Sequence, residues 1–211
     1  LLECQNKKLC LYKEEINLKK TPPPLLFDLT SLQQEMFKLY GLKASKTLQV
    51  AQSLYEKKLI TYPRTDSCSI TQDLLKPLYE TAYKLFAQDR RFSHLQASSW
   101  KLSKAHIQAE NVSDHHAILP TGQKKDLSCP NEKALLNLVN LRLIETGLPS
   151  SCEEERFIYL VEKVESKNKA PSKFYLLKEK KITKPAWKLA KNKDLIAEKN
   201  IERSANLTKQ Q

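Results

Sequence analysis

The segment Leu59–Ser67 reads LITYPRTDS and follows directly on an amphipathic helical pattern. It concentrates a tyrosine, an arginine and several other polar side chains, which is more chemistry than a turn requires. If the segment is extended, Tyr62, Arg64 and Asp66 share one face and can meet at one phosphate group. Pro63 disfavours helical geometry at Tyr62 and so keeps the phenol off the helix. The segment is therefore a candidate site for phosphate chemistry.

The chemistry of Tyr62 depends on its neighbours. A neutral phenol is a poor nucleophile, so a catalytic tyrosine needs positive charge or a proton acceptor nearby. Arg64 can supply the charge, because a guanidinium binds two phosphate oxygens and stabilises charge that grows in a transition state. The alternative is a half-buried surface tyrosine beside a solvated arginine, and the nine residues alone favour it.

A second cluster of ionisable side chains, Asp114–Thr121, reads DHHAILPT. A histidine can donate a hydrogen bond to phosphate or exchange a proton near neutral pH. Neighbouring side chains of an extended segment point to opposite sides, so we expect one of His115 and His116 to be functional and the other structural. A metal site is weakly supported, because the cluster lacks the i, i+4 spacing of paired helical ligands.

The charge of the chain points to a polyanionic partner. The net charge is +12, with 36 Lys and Arg against 24 Asp and Glu, which favours nucleic acid, although a merely basic soluble protein is the alternative. Five cysteines without a CxxC pair indicate neither a disulfide framework nor a zinc site and fit a reducing cytoplasm. No apolar run reaches the roughly twenty residues of a membrane span. The termini lead us to expect a fragment of a larger protein.

The pattern along the chain predicts an α+β fold. Residues 9–18 alternate apolar and polar as a half-buried strand does, and Pro22–Pro24 then marks a domain junction. Thr30 and Ser31 are each followed three residues later by a glutamine. This capping-box pattern predicts the start of a helix that ends at Gly41.

A second helix is predicted from Ser45, its N-cap, as far as Lys57 or Lys58. Its predicted buried stripe consists of Leu48, Ala51, Leu54 and Tyr55. The two short helices and their glycine-containing connection predict a helix-turn-helix.

Two longer helices are predicted further on. One runs over Leu74–Ala87, with Pro77 at its start or at a kink. Residues 90–125 are predicted to be loops with one or two brief helices, which is where function often resides. Asn131 is the predicted cap of the last helix, which Gly147 closes.

The period then changes to that of strands. Residues 157–164 and 174–178 are β-rich runs around a polar loop, 166–172, and predict a hairpin. Trp187–Ala190 is predicted to add a further strand. A mainly helical unit would thus lie between strand segments that meet again in space.

Several of these motifs resemble blocks of one enzyme family, the type IA DNA topoisomerases. LITYPRTDS resembles the family's active-site tyrosine motif, and Pro63 is typical of its topoisomerase III branch. Pro22–Gln34, Ala44–Glu56 and Asp114–Thr121 are similar to further family blocks, in the same order and spacing. The strands near Phe157 and Trp187 are similar to the return of the family's β-rich arch.

The resemblance implies roles for individual residues. In that family a tyrosine attacks one DNA strand, forms a 5′-phosphotyrosyl link and frees a 3′-hydroxyl that later reseals the strand. By motif position Tyr62 is the nucleophile, Arg64 steadies the scissile phosphate and His115 assists at the same phosphate. The candidate DNA-binding residues are Gln52, Tyr55, Thr61 and His116. For Tyr55, the helical spacing suits plain core packing equally well.

The resemblance also implies a cofactor and partners. The family needs Mg²⁺ held by an acidic cluster of a Toprim domain, and these 211 residues contain no Asp-x-Asp pair. We therefore expect Mg²⁺ in the full-length enzyme, bound by a domain absent from this chain, and none in the fragment, which would be inactive alone. The expected partners are single-stranded or negatively supercoiled DNA and a helicase, with no membrane. A cytoplasmic, nucleoid-associated monomer is expected.

By the same resemblance, residues 1–21 begin the β-rich arch, 22–150 form the helical tyrosine domain, 151–192 return to the arch, and 193–211 start a next domain or form a mobile tail. Ala186 departs from the glycine usual in the family, which puts the local turn in doubt. Two other function classes stay open. One is a non-catalytic helix-turn-helix module that binds DNA, and the other is a protein-interaction domain that uses the arch.

Overall fold

The computed structural model describes residues 9–93, 95, 97–108, 114–162 and 174–190. Their contacts divide the chain into two units. The described residues up to 22 and from 150 to 185 carry three strands, and those from 23 to 149 and 186 to 190 carry the helices. The chain thus combines helix and strand, as the α+β prediction requires. No helix in these described ranges is both long and apolar enough to cross a membrane.

The strand unit is one antiparallel sheet in the order β1-β2-β3. Strand β1 spans Leu9–Thr21, β2 spans Ser151–Glu162 and β3 spans Phe174–Lys184. β1 and β2 pair along their whole length although the helical unit separates them in the sequence. The predicted hairpin is confirmed as the β2–β3 pair, with longer strands than predicted. Residues 163–173, which contain the predicted loop of this hairpin, lie outside the described residues.

Charge pairs cross the sheet. The Glu155 carboxylate on β2 lies 2.9 Å from the Lys180 ammonium and 3.5 Å from that of Lys178, both on β3. The Arg156 guanidinium bonds to Glu14 on β1. The side chains of these pairs are exposed to solvent to different degrees. The pairs therefore contribute more to the register of the strands than to the stability of the sheet.

Helix α1 spans Leu29–Tyr40, and its predicted caps at Thr30 and Ser31 are wrong. Asp28 is the N-cap, because its carboxylate accepts a hydrogen bond from the Ser31 amide at 2.6 Å. The Ser31 hydroxyl returns a bond by accepting from the Asp28 amide at 3.2 Å, which completes a capping box. Gly41 ends the helix as predicted, in the left-handed conformation with φ +67°.

Helix α2 spans Ala44–Glu56 and begins one residue before Ser45, the predicted start. Ser45 is not its cap, since Lys43 is the N-cap and no side chain caps the helix. The buried face of α2 is also rotated relative to the predicted stripe. The face that packs on α1 and on the last helix consists of Thr47, Val50, Ala51 and Leu54. Tyr55 is 40% exposed and therefore does not belong to the core.

Helix α3 spans Leu75–Gln88 and begins two residues before Pro77, where a proline is tolerated. In the described part of the connection that follows, short 3₁₀ turns lie at Arg90–Phe92, Ala97–Ser99 and Lys104–His106. The prediction of loops over 90–125 is therefore confirmed for the described residues, but these residues contain three brief helices rather than the one or two predicted.

Helix α4 spans Pro130–Gly147, and its predicted cap is wrong. Asn131 is not the cap, because Pro130 already occupies the first turn, where a missing N–H costs nothing. The helix ends at Gly147 as predicted, but this glycine is the last helical residue and does not have a positive φ. A Cβ at Gly147 would lie 2.2 Å from the Trp100 ring, so close packing explains the glycine.

The segment Ala186–Ala190 is a 3₁₀ turn, which makes the predicted strand at Trp187–Ala190 wrong. Pro185 lacks an N–H for a sheet ladder, and Ala186 turns the chain with a φ of +43°. That conformation favours glycine, the residue that the resemblance led us to expect there. The Trp187 amide then donates to the Pro149 carbonyl at 3.4 Å.

Two apolar clusters form the core of the helical unit. One joins α3 to Trp100 and the end of α4, and the other joins α1 and α2 to the start of α4. In the segment 117–119, Ile118 belongs to the second cluster, whereas Ala117 and Leu119 belong to the first. The segment is consequently held by apolar contacts on both of its faces.

A shielded ion pair ties α2 to α4. The Glu132 carboxylate, 8% exposed, lies 2.5 Å from the Lys57 ammonium and accepts a hydrogen bond from the Ser53 hydroxyl at 2.6 Å. The bond from Lys57, and then that from Ser53, hold the pKa of Glu132 below its ordinary value. Removing one partner of such a pair leaves the other without compensation.

Replacing Glu132 by Gln is expected to lower the free energy of unfolding at pH 7 by about 2 kcal/mol. Because the pKa of Glu132 is lower in the folded state, the stabilisation is present above the unfolded value of about 4.3 and is lost as the pH falls through the folded pKa. Urea unfolding of both proteins at pH 7 and in steps below pH 4.5 measures this. Glu56→Gln, an exposed control on α2, is expected to change the free energy by less than about 0.5 kcal/mol. A loss that is the same at every pH would contradict the role of the charge.

Candidate active site

The tyrosine motif and the histidine motif lie side by side. The Thr61 amide donates to the Leu119 carbonyl at 2.9 Å, and the Thr121 amide donates to the Leu59 carbonyl at 3.1 Å. Ile60 pairs with Pro120 between these bonds. Two segments that are far apart in the sequence thus form a short antiparallel pairing, which fixes the backbone on either side of the site.

Thr61 uses its side chain within this pairing. Its hydroxyl donates to the Ala117 carbonyl at 3.3 Å and accepts from the Leu119 amide at 2.9 Å. Thr61 therefore positions the backbone next to Tyr62. The DNA contact predicted for it stays a prediction.

Three rings meet at Tyr62. The Tyr62 ring centroid lies 4.4 Å from that of His115, with the planes tilted by 49°. The Tyr55 ring meets Tyr62 edge-on, at 5.4 Å between centroids and 75° between planes. Tyr62 is half-buried, whereas Tyr55 and His115 are exposed. A phenol, an imidazole and a second phenol are thus presented at one surface.

Arg64 is exposed and lies between two shallow depressions. It lines the first, of about 460 Å³, together with Asp66, Asp114 and His115. It also lines the second, of about 440 Å³, along α2, where Gln52 is another wall residue. The structure therefore brings Arg64 to His115 on one side and to Gln52 on the other.

The side chain of Gln52 is half-buried in the second depression. Among the described residues its side-chain oxygen is shielded from solvent and has no hydrogen-bond partner. A shielded amide without a partner is costly unless a ligand satisfies it.

His116 has different surroundings from His115. It is half-buried, and its Nδ1 lies 2.7 Å from the Ala117 carbonyl oxygen. The pKa of Asp73 is lowered first by the Thr71 hydroxyl and to a smaller degree by the charge of His116. The two histidines thus face different groups, and a DNA contact by His116 stays a prediction.

A comparison with protein families identifies the relatives of the chain. A family described as DNA topoisomerase matches residues 2–210. The chain belongs to the DNA topoisomerase family. It is 40% identical over 142 residues to the DNA topoisomerase 3 of Shouchella clausii (strain KSM-K16), a match that covers 64% of this chain and 20% of that protein. To the DNA topoisomerase 3 of Bacillus subtilis (strain 168) it is 35% identical over 162 residues, covering 74% and 22%.

A solved topoisomerase has a similar structure. Full-length topoisomerase I from Thermotoga maritima matches with a TM-score of 0.62 and 25% identity, over 88% of this chain and 30% of that chain. The chain spans about a fifth of the length of the topoisomerase 3 relatives given above. The match therefore shows the family of this chain, and the activity of a whole topoisomerase is a proposal.

Hydrogen bonds that no sequence pattern predicted hold the topoisomerase motifs together. The Thr65 hydroxyl donates to the His115 carbonyl at 2.9 Å and accepts from the Ser67 amide at 3.1 Å. The Leu29 amide, at the start of α1, donates to the Thr65 carbonyl at 2.9 Å. A threonine within an extended motif was the available signal, but its partner fifty residues away was not visible in the sequence.

Replacing Thr65 by Val is expected to lower the free energy of unfolding by about 2 kcal/mol, because the shape is kept while the Ser67 amide and the His115 carbonyl lose their partner. Thermal or urea unfolding measures the loss. Thr65→Ser keeps the hydroxyl and is expected to recover most of it. Equal losses in the two variants would show that the methyl group of Thr65, rather than its hydroxyl, stabilises the site.

The described residues do not fit a magnesium site. Across residues 9–93, 95, 97–108, 114–162 and 174–190, no group of three or more His, Cys, Asp or Glu side chains is arranged to hold a metal ion. Asp66, Asp114 and His115 line one depression, but it also contains the positive Arg64.

Proposed function

We propose that this chain is the part of a type IA DNA topoisomerase that carries the nucleophile. Such an enzyme cleaves one DNA strand, passes DNA through the break and rejoins the strand. The observation that carries the proposal is the contact between the rings of Tyr62 and His115 at 4.4 Å, with Arg64 and His115 lining one depression. Membership of the DNA topoisomerase family supports it.

In the proposed reaction the Tyr62 oxygen attacks the phosphorus of a phosphodiester. The bond from phosphorus to the 3′-oxygen breaks, the phenol loses its proton, and the departing 3′-oxygen gains one. The products are a 5′-phosphotyrosyl link and a free 3′-hydroxyl, whose attack in the reverse direction restores the strand. One phosphodiester replaces another throughout, so the reaction needs no ATP.

Arg64 and His115 act on the same phosphate in this proposal. The guanidinium of Arg64 is exposed and can donate two parallel hydrogen bonds to non-bridging phosphate oxygens. These bonds strengthen as negative charge grows in the transition state. His115 is next to the Tyr62 ring and can donate a further bond to the phosphate or take part in the proton transfer.

The remaining candidates lie along a path for the DNA strand. Tyr55 offers an exposed ring on which a base can stack, and Gln52 offers an amide whose oxygen has no described partner. Thr61 and His116 would contact the strand while they hold the backbone. Single-stranded or negatively supercoiled DNA is the proposed substrate, because the rings of Tyr55, Tyr62 and His115 lie at one surface and can stack on the bases of an unpaired strand.

The rest of the proposed enzyme lies outside this chain, which spans about a fifth of its topoisomerase 3 relatives. We propose that residues 22–150 are its tyrosine domain, with α1 and α2 as a helix-turn-helix, and that the sheet belongs to an arch. Mg²⁺ would be held in another domain, and a helicase would be a partner of the whole enzyme. The isolated chain would carry the nucleophile without cleaving DNA.

A labelled oligonucleotide tests the proposal. The longer protein that contains this chain is incubated with Mg²⁺ and a single-stranded oligonucleotide that is labelled at its 5′ or its 3′ end, and then denatured. A 5′-phosphotyrosyl link keeps the downstream fragment on the protein, so only the 3′ label is expected to migrate with it. Mass spectrometry is expected to place the adduct on the peptide that contains Tyr62.

Two results would contradict the proposal. An adduct that carries the 5′ label would mean a link to a 3′-phosphate and a different reaction. DNA binding without any adduct would favour the alternative, a non-catalytic helix-turn-helix module that binds DNA.

A further inference from the structure

A third surface depression, here called the basic groove, has a volume of about 570 Å³ and lies at the end of α3. Its walls are the end of α3, the turn that follows, the loop 120–126 and the middle of α4. It shares no lining residue with the two depressions beside Arg64. The proposed chemistry at Tyr62 does not use it.

The basic groove has an excess of positive charge. Five lining residues are cationic and two, Asp89 and Asp126, are anionic. Arg91 is already neutralised, because its Nε donates to both Asp89 carboxylate oxygens at 2.9 Å. The cations that are exposed and form no ion pair with another described residue are Lys84, Arg90, Lys124 and Lys125.

The walls of the basic groove are held in place before any ligand arrives. Arg91 also donates to the Asn137 side-chain oxygen at 3.2 Å, which joins the turn after α3 to α4. The Thr121 hydroxyl donates to the Lys58 carbonyl at 2.7 Å and anchors the start of the loop 120–126. Gly122, with φ +74°, lets that loop approach Thr81 on α3, since a Cβ there would lie 3.3 Å from the Thr81 hydroxyl oxygen. The cations are thus presented by a fixed surface.

The lining chemistry suits phosphates rather than bases. Amide side chains accompany the lysines, and both groups donate hydrogen bonds to phosphate oxygens. None of the described residues that line the groove is aromatic, so stacking on unpaired bases is not available there. The site around Tyr62 is the opposite case, with three rings at one surface.

We propose that the basic groove binds the phosphate backbone of double-stranded DNA, separately from the strand at Tyr62. A duplex carries about one charge per 1.7 Å of its axis and offers closely spaced phosphates without exposed base faces. Four cations that form no ion pair with another described residue lie at the end of α3, in the turn after it and in the loop 120–126. This spread matches a duplex better than it matches a single strand. This binding goes beyond the cleavage proposed for Tyr62 and does not require it.

A pair of charge variants tests the proposal in the 211-residue chain. The groove variant is Lys84→Gln with Lys124→Gln and Lys125→Gln. The matched control is Lys19→Gln with Lys20→Gln and Lys181→Gln, which removes the same charge from exposed positions on the sheet. Fluorescence anisotropy measures the affinity of each protein for a 20-base-pair duplex and for a 20-residue oligothymidine at several salt concentrations.

The groove variant is expected to bind the duplex about tenfold more weakly than the control does at low salt. The slope of log K against log salt is expected to fall by about 0.9 for each phosphate contact that is lost, or by about two to three in total. Oligothymidine binding is expected to be the same in both variants within about twofold. Conversely, Tyr55→Ala is expected to weaken oligothymidine binding and to leave duplex binding unchanged, because it removes only a stacking ring.

Equal weakening by the groove variant and the control would overturn the proposal, because net charge alone would then explain binding. Equal loss of duplex and oligothymidine in the groove variant would also overturn it, as would the absence of duplex binding by the unsubstituted chain. The measurement needs no cleavage. Its failure is therefore distinguishable from the failure of the adduct experiment, which tests Tyr62.

Discussion

Replacing Tyr62 by Phe is expected to abolish the proposed covalent DNA adduct and to reduce strand cleavage by the proposed longer enzyme by a factor on the order of 10⁴ or more. The change removes one oxygen atom, the proposed nucleophile, and keeps the ring. The ring contacts with His115 and Tyr55, at 4.4 and 5.4 Å, therefore remain available. DNA binding is accordingly expected to stay within about twofold, since a lost nucleophile does not alter stacking or charge.

Adduct formation on denaturing gels, relaxation of negatively supercoiled DNA and oligonucleotide affinity together measure these effects. Tyr83→Phe is the matched control, because it removes the same atom from an exposed tyrosine of α3 that lines none of the three depressions. The control is expected to behave as the unsubstituted enzyme. Adduct formation by Tyr62→Phe would assign the nucleophile to another residue.

Replacing Gly147 by Ala is expected to lower the free energy of unfolding by about 2 to 3 kcal/mol. The new Cβ would lie 2.2 to 2.5 Å from three atoms of the Trp100 ring. That ring is 2% exposed, and its Nε1 donates to the Leu143 and Ile144 carbonyls at 3.2 and 3.1 Å, so it has little room to move. The higher helix propensity of alanine, worth about 1 kcal/mol, opposes the clash without cancelling it.

Urea unfolding of the 211-residue chain measures the loss, and a second background separates its causes. With Trp100→Leu, which makes room for the Cβ, Gly147→Ala is expected to be neutral or stabilising. Gly41→Ala is the backbone control. It has nothing within 4 Å of the new Cβ but a φ of +67°, and it is expected to cost about 1 kcal/mol from conformation alone. A stabilising effect of Gly147→Ala in the unsubstituted chain would contradict the contact with Trp100.

The two glycines show what the sequence could and could not predict. Gly41 and Gly147 both follow an apolar helical pattern, and both were predicted to end a helix. Gly41 does so through its own φ angle, which is a local property. Gly147 is required by Trp100, a residue distant in the sequence whose approach no local pattern reveals. The cap of α1 was missed for a different reason. Thr30, Ser31 and Asp28 are all acceptable caps by residue type, so the type of residue does not decide between them.

The candidate site was anticipated only in part. Residue types alone left Tyr62 as an ordinary surface tyrosine, and the resemblance to a family linked it to His115. The ring contact at 4.4 Å depends on the pairing of residues 59–61 with 117–121 and on the Thr65 bond to His115. The basic groove was not predicted at all, because its cations come from a helix end, a turn and a loop that form no motif in the sequence.

The pairing of β1 with β2 has a consequence for the order of folding. Thr21 lies opposite Ser151. The pairing of these two residues therefore closes a loop of residues 22–150. Closing so long a flexible loop costs about 4 kcal/mol of chain entropy. A folded helical unit shortens that loop before the strands meet, whereas the β2–β3 hairpin closes locally. Strand β1 is therefore expected to join the sheet last during folding and to be released first when the helical unit is destabilised.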